Sequence, residues 1–435
     1  MTPGARINAA IDILTALAQP NPPPMDQFLA QWGRRNRYAG SGDRAAIAAL
    51  VYGSVRRWAQ LDWWLAACGH EPGPRSRILA FLVLAQGETP NALEDAFSAG
   101  RYSPPPLGEA ELDLVRRLAG ESLDADGQPP HVRGNVPEWL YGRLAEATPE
   151  EVDRELAALM EEAPVDLRVN TLAGSVEQAV AALAEDGIDA TPGRLSPLAL
   201  RLSGRRPLGA AAAFKAGLVE VQDEGSQVVA ALADARPGMR ILDLCAGAGG
   251  KTLAMAAAMQ NRGRILACDV AKRRLNQAAG RLSRAGVHIV ERRAIAAADD
   301  ESLADERGGF DRVLVDAPCS GTGTLRRRPD LRWSLTPEAV HRETEAQADL
   351  LQAAAPLVAP GGRLVYATCS MLREENETRV EEFLEQQPQF HPLPVEGLWA
   401  ETVGGSCPGQ GLSLRLTPAR DGTDGFFAAI LERRL

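Results

Sequence analysis

The stretch from Arg240 to Thr252, RILDLCAGAGGKT, decides the fold of this chain. Its first five residues form a short apolar strand pattern, and its glycines lie between this strand and a helical pattern that starts at Thr252. Glycines at such a junction let the backbone approach a ligand closely, with helix N–H groups facing it. The ending Gly-Lys-Thr is also found in nucleotide-phosphate loops, but that motif needs glycine where Cys245 stands. The stretch therefore indicates another kind of ligand loop, with a plain tight turn as the alternative.

Strand and helix patterns alternate from Leu218 to the C-terminus. The predicted strands are 240–244, 264–268, 312–315, 364–367 and 426–431, and the predicted helices are 252–260, 272–285 and 338–357. Repeated strand–helix units predict an α/β domain with a mostly parallel, doubly wound, Rossmann-like sheet over residues 216–435. Ligands bind such sheets at the carboxyl ends of the strands. Asp243, Asp269, Asp316 and Cys369 all fall at predicted strand ends.

Two further domains are predicted before this sheet. Apolar spacing of three and four residues predicts an all-helical domain over residues 1–125, with Ser41 capping a helix that runs from Asp43 to Trp58. Proline and glycine indicate a linker over 104–106 and 127–137. Residues 138–215 predict a small α+β module with helices at 138–147, 149–161 and 175–186 and a strand at 165–171.

Composition excludes some classes of protein. The 435 residues carry a net charge of −10, with six dispersed cysteines that form no Cys-x-x-Cys pair and only five histidines, so we expect no metal site. No apolar run reaches the roughly 20 residues of a membrane helix, and the N-terminal segment has Asp12 within its apolar part. We therefore expect a cytoplasmic monomer with reduced thiols and no membrane contact.

The acidic chain has a locally basic N-terminal segment. Residues 1–80 hold nine arginines against five acidic residues, and Arg34, Arg35 and Arg37 lie in the dense part. Such a cluster is typical of a phosphate-binding surface, and an ordinary solvated helix face is the alternative.

Polar residues and thiols at the strand ends are the candidates for chemistry. Asp269 can bind the two hydroxyls of a ribose, as in dinucleotide folds, or it can cap the next helix. Cys319 lies in the string Asp-Ala-Pro-Cys-Ser-Gly-Thr-Gly that starts at Asp316, and Cys369 follows another strand. A single cysteine is more often a small buried residue than a nucleophile. Two at the ends of neighbouring strands favour reactive thiols.

Together these motifs resemble the Nop/Sun family of RNA 5-methylcytosine methyltransferases. The similar stretches are Val221–Gln227, Ile241–Thr252, Asp316–Gly323, Arg328–Trp333, Ala367–Ser370 and Asp424–Phe427. They span about residues 165–435. Residues 5–100, with Gly42–Ile47 and Leu50–Gly53, resemble the NusB-type helical RNA-binding domain found in family members that act on 16S ribosomal RNA.

The resemblance implies a reaction and a set of site residues. It implies methyl transfer from S-adenosylmethionine to carbon 5 of a looped or single-stranded cytosine, with Cys369 as nucleophile, Cys319 in product release, and Asp316 and Lys251 assisting. The implied cofactor-binding residues are Cys245, Ala246, Gly247, Ala248, Gly249, Gly250, Lys251, Asp269 and Asp316. Their charge makes Arg34, Arg35, Arg37, Arg326, Arg327, Arg328 and Arg332 the candidates for contacts with RNA phosphates, with Trp333 as a stacking surface. A solvated basic loop is the alternative for residues 326–332.

Two departures from the family pattern concern the cofactor loop and its surroundings. The family loop usually runs Ala-Ala-Pro-Gly-Gly-Lys, whereas Gly247 and Ala248 replace its second alanine and its proline here. Ala294 stands where the family has an acid for the adenine amino group. We therefore expect weaker cofactor binding than in a variant with Ala248→Pro and Ala294→Asp, unless Asp299 or Asp300 substitutes for that acid. A transfer RNA substrate and a ribosome-assembly factor without turnover remain alternatives.

Overall fold

The computed structural model describes residues 1–19, 23–98, 100–204 and 206–435, which form two compact units. The helical unit comprises Met1–Glu161 and Leu325–Ser334, and the sheet unit comprises Glu162–Thr324 and Leu335–Leu435. This division differs from the predicted one, because residues 138–161 and 325–334 belong to the helical unit. The predicted helical and α+β domains include residues 20–22, 99 and 205, which lie outside the described residues.

The helical unit is built from short amphipathic helices. They are α1 (Pro3–Leu17), α2 (Met25–Arg35), α3 (Ser41–Arg56), α4 (Trp58–Ala67), α5 (Pro74–Leu84), α6 (Pro90–Ser98), α7 (Glu109–Leu118), α8 (Pro130–Arg133), α9 (Glu138–Ala147), α10 (Val152–Met160) and α16 (Leu331–Ser334). Ile13, Val51 and Leu79 lie in their common core. The predicted cap at Ser41 is wrong. The cap is Gly40, whose N–H donates to the Asp43 carboxylate at 3.2 Å, so α3 already includes Ser41.

The sheet unit begins with a small antiparallel sheet in the order β2-β3-β1-β4. Its elements are β1 (Asp166–Val169), α11 (Val176–Glu185), β2 (Ala190–Pro192), β3 (Ala199–Leu202), α12 (Ala212–Lys215) and β4 (Val219–Val221). The Ser175 hydroxyl accepts the Gln178 N–H at 3.3 Å and so caps α11. Leu167, Leu183 and Leu200 form the core between this sheet and its helix.

A second, eight-stranded sheet follows. Its elements are α13 (Glu224–Leu232), β5 (Arg240–Asp243), α14 (Gly250–Ala258), β6 (Arg264–Asp269), α15 (Lys272–Arg284), β7 (Val290–Ala294), β8 (Phe310–Asp316), α17 (Pro337–Ala354), β9 (Val358–Thr368), α18 (Glu377–Gln386), β10 (Phe390–Pro392), α19 (Val395–Thr402), β11 (Ser413–Leu416), α20 (Pro418–Asp421) and β12 (Phe426–Arg433). The order is β10-β12-β9-β8-β5-β6-β7, with β11 paired to β12. The strands from β7 to β9 are parallel, whereas β12 runs antiparallel to β9.

This strand order positions a ligand crevice. The chain moves from β5 outward to β7 and then returns to β8 on the other side of β5. Connections leave the carboxyl ends of β5 and β8 in opposite directions at this reversal, which opens a crevice at the sheet edge. The predicted Rossmann-like sheet is confirmed. Within the described part of the chain, no helix combines the length and the apolar character that a membrane crossing requires.

Candidate active site

The glycine loop after β5 has a backbone that requires glycine. Gly247 and Gly249 have φ values of 54° and 80°, in the left-handed region. A Cβ on Gly249 would also lie 3.0 Å from the Ala278 side chain of α15. The Gly249 N–H donates to the Ala246 carbonyl at 2.8 Å, and α14 begins at the next residue. Both glycines are buried, so the loop packs its backbone closely against α15 at positions where a side chain would not fit.

Asp269, at the end of β6, holds this loop. Its Oδ2 accepts the Gly247 N–H at 2.7 Å, and its Oδ1 accepts the Ala271 N–H at 2.6 Å. Each oxygen of a carboxylate has two lone pairs, so both oxygens keep one for a ligand. Val270 follows with 64% of its surface exposed, which places an apolar side chain directly beside this acid.

Ala294 lies beside Asp269, because the two residues are paired in the register of β6 and β7. The expected place of the missing acid is therefore next to the ribose-binding candidate. Asp300 is engaged in its own turn, where its carboxylate accepts the N–H groups of Ala296 at 2.7 Å and Ser302 at 2.9 Å. Asp299 is exposed.

A lysine–aspartate pair connects the start of α14 with the end of β8. Lys251 Nζ is 2.7 Å from Asp316 Oδ2 and lies over the Phe426 ring, 5.4 Å from its centroid. The lysine side chain is 9% exposed, whereas that of Asp316 is 31% exposed. Lys251 therefore orients the Asp316 carboxylate through Oδ2, while the Asp316 side chain stays partly exposed to solvent.

The two strand-end thiols meet at the same edge. Cys319 follows β8, Cys369 follows β9, and these strands are parallel neighbours. The two Sγ atoms are 3.4 Å apart, and both residues are half-buried. The hydrogen bond with Cys369, burial and the negative charge of Glu375 raise the pKa of Cys319 well above its ordinary value. Cys319 therefore keeps its proton and can donate it toward Cys369.

Glu375 is a central residue that the sequence interpretation did not select. Its carboxylate, fully buried, accepts the Ser320 N–H at 2.8 Å and the hydroxyls of Ser320 and Ser370. Gln347 donates to the same carboxylate at 3.1 Å and to the Pro318 carbonyl at 2.9 Å. The two cysteine loops are thus fastened to one buried acid. Its sequence signal is the run Glu-Glu-Asn that begins five residues after Cys369.

A second buried carboxylate, that of Asp243, connects the end of β5 to α14 on either side of the glycine loop. Asp243 accepts the Thr252 hydroxyl at 2.6 Å through Oδ2, while its buried Oδ1 has no partner. Burial raises the pKa of Asp243 to about 7, against a partial opposing effect of the Thr252 hydrogen bond. Burial, with the charges of Asp243 and Asp316, also raises the pKa of Cys245. Cys245 is therefore a structural thiol of the loop.

The predicted RNA-binding residues fall into two classes. Arg34, Arg35 and Arg37 are exposed at and beyond the end of α2. Arg332 is fully buried and donates to the carbonyls of Asn135, Leu159 and Leu325, so its predicted contact with phosphate is wrong.

The residues next to Arg332 in the sequence also lie within the helical unit. Trp333 is half-buried, donates from Nε1 to the Val55 carbonyl at 2.9 Å and packs on Trp58. Arg326 is buried, Arg327 is half-buried, and Arg328 is paired with Asp330 at 3.0 Å. Packing within the helical unit therefore accounts for much of this basic segment. In the described ranges no three His, Cys, Asp or Glu side chains come together as a metal-binding group.

Comparisons with known proteins identify the family. Residues 230–432 match the family described as 16S rRNA methyltransferase RsmB/F, and residues 136–208 match the ferredoxin-like domain of RsmF/B-like methyltransferases. The chain is 33% identical over 411 residues to the probable ribosomal RNA small subunit methyltransferase B of Bacillus subtilis, covering 90% of this chain and 91% of that protein. The corresponding protein of Citrobacter koseri is 30% identical over 405 residues with the same coverage. A solved methyltransferase homolog from Pyrococcus horikoshii is 27% identical with a TM-score of 0.59, covering 70% of this chain and 97% of that one. These matches confirm the predicted resemblance, and the chain belongs to the RsmB/F family of ribosomal RNA methyltransferases.

Proposed function

We propose that this chain transfers a methyl group from S-adenosylmethionine to carbon 5 of a cytosine in 16S ribosomal RNA, through a covalent adduct with Cys369. The observation that carries the proposal is the pair of thiols, 3.4 Å apart, that follow β8 and β9, with Asp316 as the last residue of β8. The names of the relatives from Bacillus subtilis and Citrobacter koseri support the small-subunit ribosomal RNA as substrate.

The residues of the glycine loop suit the proposed cofactor. Asp269 keeps lone pairs for the two ribose hydroxyls, and Val270 offers an apolar surface to an adenine ring. The buried, unpartnered Oδ1 of Asp243 is an acceptor available at the base of the loop. When bound, S-adenosylmethionine supplies an electrophilic methyl group on a cationic sulfur. Because carbon 5 of cytosine is a weak nucleophile, this group alone does not make the reaction fast.

Cys369 overcomes this weakness by covalent catalysis. Its thiolate adds to carbon 6, the carbon 5–carbon 6 π pair becomes a carbon 4–carbon 5 π bond, and the carbon 4–nitrogen 3 π pair moves onto nitrogen 3. Carbon 5 is now a nucleophilic enamine carbon, and it takes the methyl group while the nitrogen 3 pair forms the carbon 4–nitrogen 3 π bond again. Solvent water then takes the carbon 5 proton, the electrons of that carbon–hydrogen bond form the carbon 5–carbon 6 π bond again, and the carbon–sulfur bond breaks with its electron pair returning to Sγ. The protonated Cys319 stabilises the departing Cys369 thiolate through the Sγ–Sγ hydrogen bond.

Asp316 gives the site its preference for cytosine. Its carboxylate, fixed by Lys251, accepts a hydrogen bond from the exocyclic amino group, which uracil lacks. The base must leave its stack to reach the crevice, so a looped or single-stranded cytosine is the expected target.

Single replacements of the two cysteines test this division of labour. Cys369→Ala should abolish both methyl transfer and the covalent RNA adduct. Cys319→Ala should permit attack but slow release, so that an RNA–protein band accumulates on denaturing gels. The measurement is transfer of a labelled methyl group to 16S ribosomal RNA and to transfer RNA, with the parent protein beside both variants. Adduct accumulation in Cys369→Ala instead would contradict the assignment.

The alternatives give other results in the same experiment. Labelling of transfer RNA alone would replace the ribosomal substrate. Binding of S-adenosylmethionine by calorimetry without any methyl transfer would favour a ribosome-assembly factor.

A further inference from the structure

A cleft in the helical unit lies outside the candidate active site. It has a volume of about 720 Å³, within the range of ligand pockets, and opens between α1, α2 and the segment after α6. Its lining residues are Met1, Thr2, Ala5, Asn8, Ala9, Asp12, Trp32, Asn36, Tyr38 and Tyr102.

Aromatic side chains dominate the solvent-facing part of this cleft. Tyr38 and Tyr102 are each 70% exposed, and among the described residues they are the aromatics with exposure of this extent. Both line the same cavity, together with the half-buried Trp32, which packs on the core of the helical unit. Large aromatic surface left in water at one place marks a binding surface more often than single exposed residues do.

The charge around the cleft specifies the kind of ligand. Residues 32–38 read WGRRNRY, so that the lining residues Trp32, Asn36 and Tyr38 alternate with the exposed Arg34, Arg35 and Arg37. On the other wall, the Arg101 guanidinium lies 5.7 Å from the centre of the Tyr102 ring. Aromatic platforms interleaved with arginines are the arrangement with which proteins bind single-stranded nucleic acids.

The polar groups inside the cleft favour bases over phosphates. Asp12 lines the cavity, and its carboxylate would repel a phosphate but can accept from the amino group of a base. Asn8 donates to Asp12 at 3.4 Å, and Asn36 donates from Nδ2 to the Trp32 carbonyl at 2.9 Å. The exposed arginines therefore lie outside the lining, and the one cation in the lining, the Met1 ammonium, is paired with Asp43 at 3.1 Å, which leaves aromatic and acceptor groups for a ligand.

We propose that this aromatic cleft binds unstacked bases of single-stranded RNA, while the RNA phosphates lie along Arg34, Arg35 and Arg37. The inference rests on the proposed function in that the substrate is RNA. It adds a second RNA site, on the helical unit, with stacking as its main interaction. Because an RNA duplex keeps its bases stacked internally, the cleft discriminates against paired RNA.

The test uses the full chain and three probes: a 12-nucleotide oligocytidylate, the same strand paired in a duplex, and an abasic ribose–phosphate strand. Replacing Tyr38 and Tyr102 together by alanine should weaken binding of the oligocytidylate by roughly thirtyfold or more, since base–aromatic stacking contributes about 1–3 kcal/mol per base and the variant lacks two such platforms. Binding of the duplex and the abasic strand should not change. The double replacement by phenylalanine, which keeps the rings, is the matched control and should bind like the parent.

Salt dependence separates stacking from charge. The tyrosine variants should keep the parent's slope of log K against log salt, because an aromatic contact releases no counterions. Replacing Arg34, Arg35 and Arg37 by alanine should reduce the slope by roughly 2, at about 0.7 for each phosphate contact with a single strand. Both tyrosines are largely exposed, so these variants should fold, which thermal melting checks.

The outcomes separate the two proposals. Oligocytidylate affinity unchanged in the tyrosine-to-alanine variant overturns the inference, as does an equal loss with the abasic strand. Absence of methyl transfer and of the Cys369 adduct in the parent contradicts the proposed function, and leaves the oligonucleotide result to stand or fall by itself.

Discussion

Replacing Glu375 by alanine should loosen both cysteine loops at once. The carboxylate has four buried donors: the Ser320 N–H and hydroxyl, the Ser370 hydroxyl and the Gln347 amide. The Ser370 hydroxyl can donate to that of Ser320, 3.3 Å away, and the Ser320 hydroxyl can donate to Thr322 Oγ1 at 3.3 Å, while Gln347 keeps its bond to the Pro318 carbonyl. The Ser320 N–H is then the donor left without a partner.

The magnitude follows from this accounting. One buried donor without a partner costs about 1–3 kcal/mol, and the cavity left by the side chain adds roughly 1 kcal/mol. We therefore expect Glu375→Ala to destabilise the sheet unit by about 2–4 kcal/mol. At roughly 2–4 °C for each kcal/mol, its melting temperature should fall by roughly 4–16 °C.

Glu375→Gln removes the negative charge of this side chain but keeps its shape. The glutamine amide oxygen can still accept the Ser320 N–H, so the melting temperature should stay closer to that of the parent. The charge of Glu375 helps to raise the pKa of Cys319, so its removal should let the Cys319 thiol ionise at lower pH. The assay is alkylation of Cys319 by iodoacetamide across pH, followed by mass spectrometry, in a Cys369→Ser background. An unchanged alkylation profile in Glu375→Gln, together with an unchanged melting temperature in Glu375→Ala, would refute this reasoning.

Three further changes have expected outcomes. Ala294→Asp should tighten S-adenosylmethionine binding by about 1.5–3 kcal/mol, measured by calorimetry, because a carboxylate there can accept from the adenine amino group; equal affinity would mean that another residue has this role. Burial raises the folded-state pKa of Asp243 to about 7, so between pH 4 and 7 the unfolded carboxyl ionises first and stability falls as pH rises, by up to about 4 kcal/mol. Asp243→Asn should remove this fall in the free energy of unfolding, measured by urea titration at each pH. A variant whose stability falls with pH as steeply as that of the parent would contradict the prediction. Arg332→Met should leave buried carbonyls unpaired and cost about 1–3 kcal/mol in the helical unit without changing the salt slope of RNA binding, and a changed slope would return Arg332 to the RNA surface.

The sheet and the position of its site were predictable because their signals are local. Apolar strands that end in Asp243, Asp269 or Asp316 show the strand ends directly in the sequence, and parallel strands bring such ends to one edge. The meeting of Cys319 and Cys369 required only that β8 and β9 be neighbours, which the alternation of strands and helices favours.

The burial of Arg332 could not be predicted in this way. Its guanidinium is held by carbonyls of residues 197 and 173 positions earlier in the chain, and a local pattern of charge contains no information about such partners. Burial lowers the pKa of Arg332 to about 9, and the carbonyl acceptors replace lost water contacts. The role of Glu375 could not be predicted for the same reason. Its hydrogen-bond donors come from three separate segments of the chain, which only the tertiary structure brings together.

The loop that lacks the family's proline is held from outside. Arg281 of α15 donates to the Ala248 carbonyl at 2.8 Å, and Arg168 of β1 donates to the Gly250 carbonyl at 2.9 Å. Both hydrogen bonds have a charged donor, a class that contributes about 1.5–3 kcal/mol each, whereas a proline restricts a loop by about 0.4–1 kcal/mol. These two hydrogen bonds therefore stabilise the loop by more free energy than the missing proline would. It follows that Ala248→Pro alone should change S-adenosylmethionine affinity little, and that the altered pocket is limited by Ala294 rather than by the flexibility of its loop.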